Sequence, residues 1–131
     1  MIEHNKVLLT GSYDQTIGFW DIYNNFQLLQ QYTQSSDECL TDLLSIDQRY
    51  FISSCTQGTL KIWDTVTNNL ACNKNNAHKA KINRIHIISK FRLITCSNDK
   101  QATIWQLQGP NMSKVRDLPH NSFVVGAVEL G

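Results

Sequence analysis

Residues 51–64 have the sequence FISSCTQGTLKIWD, and this stretch decides the fold because its pattern recurs at two other places in the chain. Residues 8–21 (LLTGSYDQTIGFWD) and 93–106 (LITCSNDKQATIWQ) repeat its order of an apolar pair, two small polar residues, a turn and a tryptophan. The three tryptophans, Trp20, Trp63 and Trp105, lie 43 and 42 residues apart. Self-similar segments at a fixed spacing of about 40 residues predict a repeat architecture.

A second pattern has the same period. Residues 80–88 (AKINRIHII) alternate in polarity and place Ile82 and Ile85 toward a core. The matching positions 42 residues earlier and 42 residues later hold Leu40 and Leu43, and Val124 and Ala127. Short β-branched or aromatic segments between turn residues predict strands, and no helical periodicity is sustained.

We therefore predict an all-β protein of twelve short strands, four in each complete repeat. The predicted strands cover residues 6–12, 15–20 and 26–32, then 38–46, 49–55, 59–64 and 69–73, then 80–88, 91–97, 101–106 and 113–117, and finally 122–129. The predicted repeats divide one domain, residues 1–131, into 1–34, 35–76, 77–118 and 119–131.

These segments resemble the WD-repeat family, the G-protein-beta type of β-propeller, over nearly the whole chain. The resemblance rests on Trp20-Asp21, Trp63-Asp64, the degenerate Trp105-Gln106, and Ala77-His78 in place of the family's Gly-His dipeptide. It implies four-stranded antiparallel blades around a central channel, here about three blades of a partial propeller.

The resemblance also implies a buried network of a histidine, a hydroxyl, an aspartate and the tryptophan, because buried polar groups need partners. By position it carries over to His78, Thr95, Asp99 and Trp105 in the last repeat, Thr10, Asp14 and Trp20 in the first, and Ser53 and Trp63 in the middle repeat. Ser97 is an alternative hydroxyl to Thr95. Ser36 and Gln57 replace the histidine and the aspartate of the middle repeat, so we expect a weakened network there.

A hydroxyl, a histidine and an aspartate could also indicate a catalytic triad. We favour a structural role, because the set recurs with the repeat and no Gly-x-Ser-x-Gly, Walker or His-Glu-x-x-His motif accompanies it. We therefore predict no catalytic residue, no cofactor and no enzyme activity. Cys72 and His78 could bind a metal, but no second pair supports them, and no metal site is predicted. The chain has no Cys-x-x-Cys pair, which argues against a zinc ribbon or a thioredoxin motif. Because no secretory context is evident, the four cysteines are expected to be reduced thiols.

Charge and hydropathy exclude several classes of partner. Twelve Lys and Arg residues nearly balance eleven Asp and Glu, so a strongly basic nucleic-acid surface is not expected. Residues 74–92 hold six Lys or Arg and no acid, which leaves nucleic-acid or anionic-lipid binding as the alternative function. No apolar run approaches the roughly 18 residues of a membrane span, and the start has no secretory pattern. We expect an intracellular protein that is located in the cytoplasm, with the nucleus as the alternative location.

The leading expectation is a non-enzymatic scaffold for protein or peptide partners, because the resemblance implies rigid strands that present loops. The family's contact face corresponds here to Tyr13, Asp37, Cys39, Thr56, Lys79, Lys81, Asn98, Asn121 and Phe123. Tyr13 and Phe123 are the expected anchors, since aromatic side chains contribute much interface energy. Lys79 and Lys81 would favour an acidic partner segment.

Three blades are too few for a closed ring, since propellers typically have about four to eight. We expect the chain to be a fragment or a subunit of a larger propeller. Alternatively, two copies would join as a six-bladed ring, with residues 122–129 of one copy completing the first blade of the other. A different WD-repeat chain could also complete the ring.

Overall fold

The computed structural model describes residues 7–23, 25–33, 39–89 and 91–130. Within these ranges the chain has eleven β-strands and no helix, so the prediction of an all-β fold is confirmed. The strands form three antiparallel sheets, one of three strands and two of four, and each sheet is one blade. The same ranges therefore hold no helix that is long and apolar enough to cross a membrane.

The strands follow the chain order within every blade. Blade 1 contains β1 (Val7–Gly11), β2 (Thr16–Asp21) and β3 (Gln27–Thr33). Blade 2 contains β4 (Leu40–Ser45), β5 (Tyr50–Cys55), β6 (Leu60–Asp64) and β7 (Asn69–Lys74). Blade 3 contains β8 (Ile82–Ser89), β9 (Arg92–Ser97), β10 (Gln101–Gln108) and β11 (Asn111–Pro119). These bounds lie close to the predicted ones, and the division of the chain into repeats remains a prediction.

The predicted strand over residues 122–129 is wrong, because residues 121–130 belong to no strand. The Val124 amide donates a hydrogen bond to the Ser97 carbonyl at 3.0 Å, but no ladder continues from it. A strand needs a neighbour that exchanges backbone hydrogen bonds along its length. None of the three described sheets includes this segment, so its β-forming sequence lacks that partner.

Each blade has two different faces, because side chains alternate along a strand. What we call the tryptophan face carries Leu8, Thr10 and Trp20 in blade 1, Phe51, Ser53 and Trp63 in blade 2, and Leu93, Thr95 and Trp105 in blade 3. What we call the isoleucine face carries Leu9, Ile17 and Phe19 in blade 1, Ile52, Leu60 and Ile62 in blade 2, and Ile94, Ala102 and Ile104 in blade 3.

The core lies between blades, where the isoleucine face of one packs against the tryptophan face of the next. At the first junction, the Tyr32 ring centroid is 5.3 Å from that of Phe51 and 5.5 Å from that of Trp63, with Ile17 in the same cluster. The second junction joins Ile52, Leu60 and Ile62 to Leu93, Trp105, Leu107 and Met112. Burial of each such large side chain contributes about 1.5–3 kcal/mol, so the stacking of blades holds the fold together.

Candidate functional site

Loops from all three blades meet at one end of the strands, which we call the loop end. It carries the turns at residues 12–15, 56–59 and 98–100 and the connections at residues 75–81 and 120–123. Backbone hydrogen bonds fasten each connection to a neighbouring turn: His78 N to Gly58 O at 3.0 Å, and His120 N to Lys100 O at 2.8 Å. The loop end is therefore held by the blades and by its own backbone contacts.

A buried polar network lies beneath the loop end in blade 3. The Trp105 indole Nε1 donates to Thr95 Oγ1 at 2.9 Å, and His78 Nε2 lies 2.6 Å from the same oxygen. His78 Nδ1 lies 2.8 Å from Asp99 Oδ2. The hydroxyl that joins the network is thus that of Thr95, whereas the Ser97 hydroxyl donates to the Lys81 carbonyl at 2.9 Å.

Asp99 ties this network to the loops. Burial alone would raise the pKa of Asp99, but hydrogen bonds from the amide of Lys79, from His78 and from the amide of Gln101 outweigh burial and lower its pKa. The carboxylate is therefore ionised at neutral pH, and it joins connection 75–81 to the turn at 98–100. Its contacts position loops, and Thr95 is fully buried beneath them.

Among the described residues, the tryptophan–hydroxyl part of the arrangement recurs in the other two blades. Trp20 Nε1 donates to Thr10 Oγ1 at 2.9 Å, and Trp63 Nε1 donates to Ser53 Oγ at 3.0 Å. Asp14 accepts hydrogen bonds within its own turn from the hydroxyl and the amide of Thr16, and these lower its pKa. Ser36 lies outside the described residues.

The structure brings the described contact-face residues to the loop end. The Tyr13 side chain is 80% exposed and that of Phe123 is 60% exposed. The other members divide into exposed Lys79, Lys81 and Asn121 and half-buried Cys39, Thr56 and Asn98. The half-buried ones help to fasten the loops, as when the Thr56 amide donates to the Cys39 carbonyl at 2.9 Å. Asp37 lies outside the described residues.

The sequence model of the WD40 family, described as "WD domain, G-beta repeat", matches residues 3–21 and 26–64. These two segments of the chain are therefore similar to the repeats of that family. Its fold resembles the crystal structure of the WD40 β-propeller domain of Doa1, with a TM-score of 0.79 and 20% sequence identity. That likeness covers 93% of this chain and 39% of the Doa1 chain, and it supports the partial-propeller fold.

Three curated proteins are also similar to parts of this chain. An uncharacterized WD repeat-containing protein of Schizosaccharomyces pombe is 24% identical over 106 residues, which is 81% of this chain and 28% of the relative. Pre-mRNA-processing factor 17 of Saccharomyces cerevisiae is 31% identical over 61 residues, 47% of this chain and 13% of the relative. The periodic tryptophan protein 2 homolog of Dictyostelium discoideum is 33% identical over 63 residues, 48% of this chain and 7% of the relative. The chain thus spans less than a third of the length of each of these three.

The aspartate of the middle Trp-Asp dipeptide forms an ion pair that the sequence analysis missed. Arg49 donates from Nε to Asp64 Oδ1 at 3.0 Å and from Nη2 to Asp64 Oδ2 at 2.9 Å. The hydrogen bonds from Arg49 hold the pKa of Asp64 at about 2. This pair lies at the opposite end of blade 2 from the loop end. A lone arginine in a turn 15 residues before Asp64 offers no signal of such a contact.

The low pKa of Asp64 predicts acid sensitivity. The folded pKa lies below the unfolded value of about 3.9, so the ionised carboxylate stabilises the fold above that pH, and the contribution disappears as pH falls toward 2. We expect the melting temperature of the wild type to fall more steeply between pH 5 and pH 2 than that of Asp64→Asn, in thermal melts followed by circular dichroism. Equal slopes for the two proteins would contradict this role of Asp64.

The cations of residues 74–92 do not share one end of the blades. Lys79 and Lys81 lie at the loop end, whereas Arg92 begins β9 at the opposite end. The intervening strand β8 spans roughly 23 Å at about 3.3 Å per residue. Lys90 lies outside the described residues. Lys74 ends β7 of blade 2, so the positive charge is spread over blades 2 and 3.

The cysteines and histidines form no described metal centre. All four cysteines are free thiols, with Cys55 and Cys96 buried and Cys39 and Cys72 half-buried. Burial raises the pKa of the Cys96 thiol. Within residues 7–23, 25–33, 39–89 and 91–130, no group of three or more His, Cys, Asp and Glu side chains could hold a metal ion.

Proposed function

We propose that this WD-repeat chain is a non-enzymatic platform that binds protein or peptide partners through its loop end. The observation that carries the proposal is the combination, on one fastened surface, of two exposed aromatic side chains with two exposed lysines, namely Tyr13, Phe123, Lys79 and Lys81. Aromatic side chains are frequent energetic anchors of interfaces. A surface fixed before binding loses less conformational entropy when a partner docks.

The charge of the loop end favours a partner segment with acidic side chains. The amide of Lys79 is bound to Asp99 at 3.1 Å, which fixes the backbone while the side chain stays exposed. The Asp99 carboxylate is engaged by His78 and by two backbone amides, which reduces its repulsion of an acidic ligand. Complementary charge then contributes to specificity and association rate more than to affinity.

The polar network supports a structural role and not a catalytic one. A nucleophile must reach its substrate, but Thr95 is fully buried and its oxygen is engaged by both His78 and Trp105. The WD-repeat relatives match this chain over less than a third of their own lengths, so their names do not identify its partner. An intracellular location stays a prediction, and no observation favours the alternative of nucleic-acid or lipid binding.

A peptide selection tests the proposal. Immobilised wild-type chain is used to select binders from a phage-displayed random peptide library, and the affinity of the most enriched peptide is measured by fluorescence anisotropy. We expect acidic peptides with an apolar residue. Tyr13→Ala, and the double variant Lys79→Ala with Lys81→Ala, should each weaken binding about tenfold, corresponding to about 1.4 kcal/mol.

The matched control is Tyr23→Ala, since Tyr23 is 64% exposed at the opposite end of blade 1 and should leave the affinity unchanged. Equal weakening by Tyr13→Ala and Tyr23→Ala would contradict the proposal. A single-stranded RNA oligonucleotide serves as the second probe. Tight RNA binding that weakens steeply with salt, in place of peptide binding, would favour the alternative function.

A further inference from the structure

One tryptophan face is uncovered in the described structure. Leu8 of blade 1 is 51% exposed, whereas its counterparts Phe51 and Leu93 are 1% and 0% exposed because a preceding blade covers them. Trp20 on the same face is half-exposed, and Leu28 beside it is exposed. Blade 1 therefore presents the type of face that both internal junctions bury.

Residues 121–130 contact the isoleucine face of blade 3 through Val124. Val124 is buried and packs against Ile94, Cys96 and Ala102 of that face. The outward residues of the segment are strongly exposed and apolar: Val125, Val128 and Leu130. An exposed apolar segment that belongs to no sheet is a template for strand pairing.

This segment lies where the first strand of a further blade would lie. In the internal junction, Asp42 Oδ2 of β4 accepts a hydrogen bond from the Ile85 amide of β8 at 3.0 Å. At the next position around the channel, Asn83 Nδ2 of β8 donates to the Val124 carbonyl at 2.9 Å. The Ser89 hydroxyl, at the far end of β8, donates to Glu129 Oε2 at 2.5 Å. The segment therefore contacts β8 near both of its ends. Its position relative to β8 corresponds to the position of β8 relative to β4.

The described part of blade 1 has no strand that corresponds to β4 or β8. In blades 2 and 3 an inner strand, β4 or β8, pairs with the second strand, β5 or β9. In the described part of blade 1, β1 pairs only with β2, so its other edge has no strand beside it. An open depression lined by Gly11 and by residues 40–43 of β4 lies next to that edge.

We propose that two copies of this chain associate head to tail through these surfaces. Residues 121–130 of one copy pair with the free edge of β1 in the other, and the isoleucine face of blade 3 packs against the tryptophan face of blade 1. Each copy carries both surfaces, and packing one against the other reproduces the contact seen at the two internal junctions. The partner proposed for each surface is therefore a second copy of this chain. Two reciprocal contacts join three blades to three, and six blades lie within the range of closed propellers.

The association predicts specific losses in solution. Light scattering on a sizing column should give the wild type twice the 15.0 kDa of one chain. Leu8→Lys places a charge on the tryptophan face. The double variant Val125→Pro with Val128→Pro removes two backbone amide hydrogens. The two residues are three positions apart, so in a strand their amides point to opposite sides and one of them faces the new partner strand. Each variant alone should be monomeric, with the far-ultraviolet circular dichroism of the wild type.

Mixing the two variants separates this arrangement from non-specific association. The Leu8→Lys copy keeps residues 121–130 intact, and the proline copy keeps its tryptophan face intact, so a mixture regains one good junction and should contain heterodimers. Val66→Lys, at an exposed turn of blade 2, is the control and should remain dimeric. A wild-type monomer, dimeric single variants or a mixture that stays monomeric would overturn the proposal. A monomer would leave both surfaces to further blades of a longer chain or to a different WD-repeat chain.

Discussion

Thr95→Val is expected to lower the free energy of unfolding by about 2–5 kcal/mol, one of the two largest effects predicted for this chain. The change keeps the side-chain volume but removes the oxygen that Trp105 Nε1 and His78 Nε2 share. Both partners are buried, so Trp105 Nε1 and His78 Nε2 each lose this hydrogen bond in a place that water does not reach, whereas His78 Nδ1 keeps its contact with Asp99. Urea unfolding followed by tryptophan fluorescence measures the loss.

Ser53→Ala is the matched control for Thr95→Val. Ser53 is equally buried and accepts a hydrogen bond from Trp63 Nε1 at 3.0 Å, but no described histidine joins it. We expect a loss of about 1–2 kcal/mol, because one buried donor instead of two groups loses its partner. Losses of the same size for the two variants would contradict the idea that the blade 3 network acts as a unit.

Gly58→Ala should cost about 2–5 kcal/mol and disturb the loop end. Gly58 has φ +83°, a conformation that L side chains rarely adopt, and an added Cβ would collide with the His78 carbonyl oxygen and approach the Ala80 carbonyl at 2.9 Å. The backbone of connection 75–81 would have to move, which adds overpacking to the strain of the left-handed conformation. Thermal unfolding and the affinity for the selected peptide should both decrease.

Gly109→Ala separates the collision from the backbone strain. Gly109 also has positive φ, +59°, but its added Cβ would meet nothing within 4 Å. The expected cost is only the strain of about 1–2 kcal/mol, with no change in peptide affinity, because Gly109 lies at the opposite end from the loop end. If Gly109→Ala proved as damaging as Gly58→Ala, close packing of the loop end would not be the cause.

The repeat spacing predicted the fold well because it reports the packing itself. Trp63 and Trp105 recur at one spacing since each fills the same position between two blades. The strand predicted at 122–129 was wrong because strand formation depends on a neighbour, and local sequence does not contain the neighbour. Val124 nevertheless is buried in the place that its periodic match to Leu40 and Ile82 indicates.

The details of the site depended on contacts that no local pattern encodes. The choice between Thr95 and Ser97 was open in the sequence, since both hydroxyls follow strand periodicity, and only the approach of His78 decides between them. Arg49 was missed because its contact with Asp64 joins the turn between β4 and β5 to the last residue of β6. Asp42 was also missed, although a carboxylate within the apolar run LTDLL was an available signal.

The proposed role follows from how the blades hold the loops. The stacked tryptophan and isoleucine faces fix the strands, and the Asp99 network and Gly58 fix the loops against each other. Tyr13 and Phe123 remain exposed on this fixed surface. A binding surface of this kind needs no conformational change, which is what the proposed scaffold role requires.

Hydrogen–deuterium exchange of the chain with and without its selected peptide tests the central claim most directly. If the partner binds at the loop end, the peptide should slow exchange there, in residues 12–15, 56–59, 77–81, 98–100 and 119–123. Slowed exchange confined to the opposite end, in residues 46–49, 65–68 and 109–110, would contradict it.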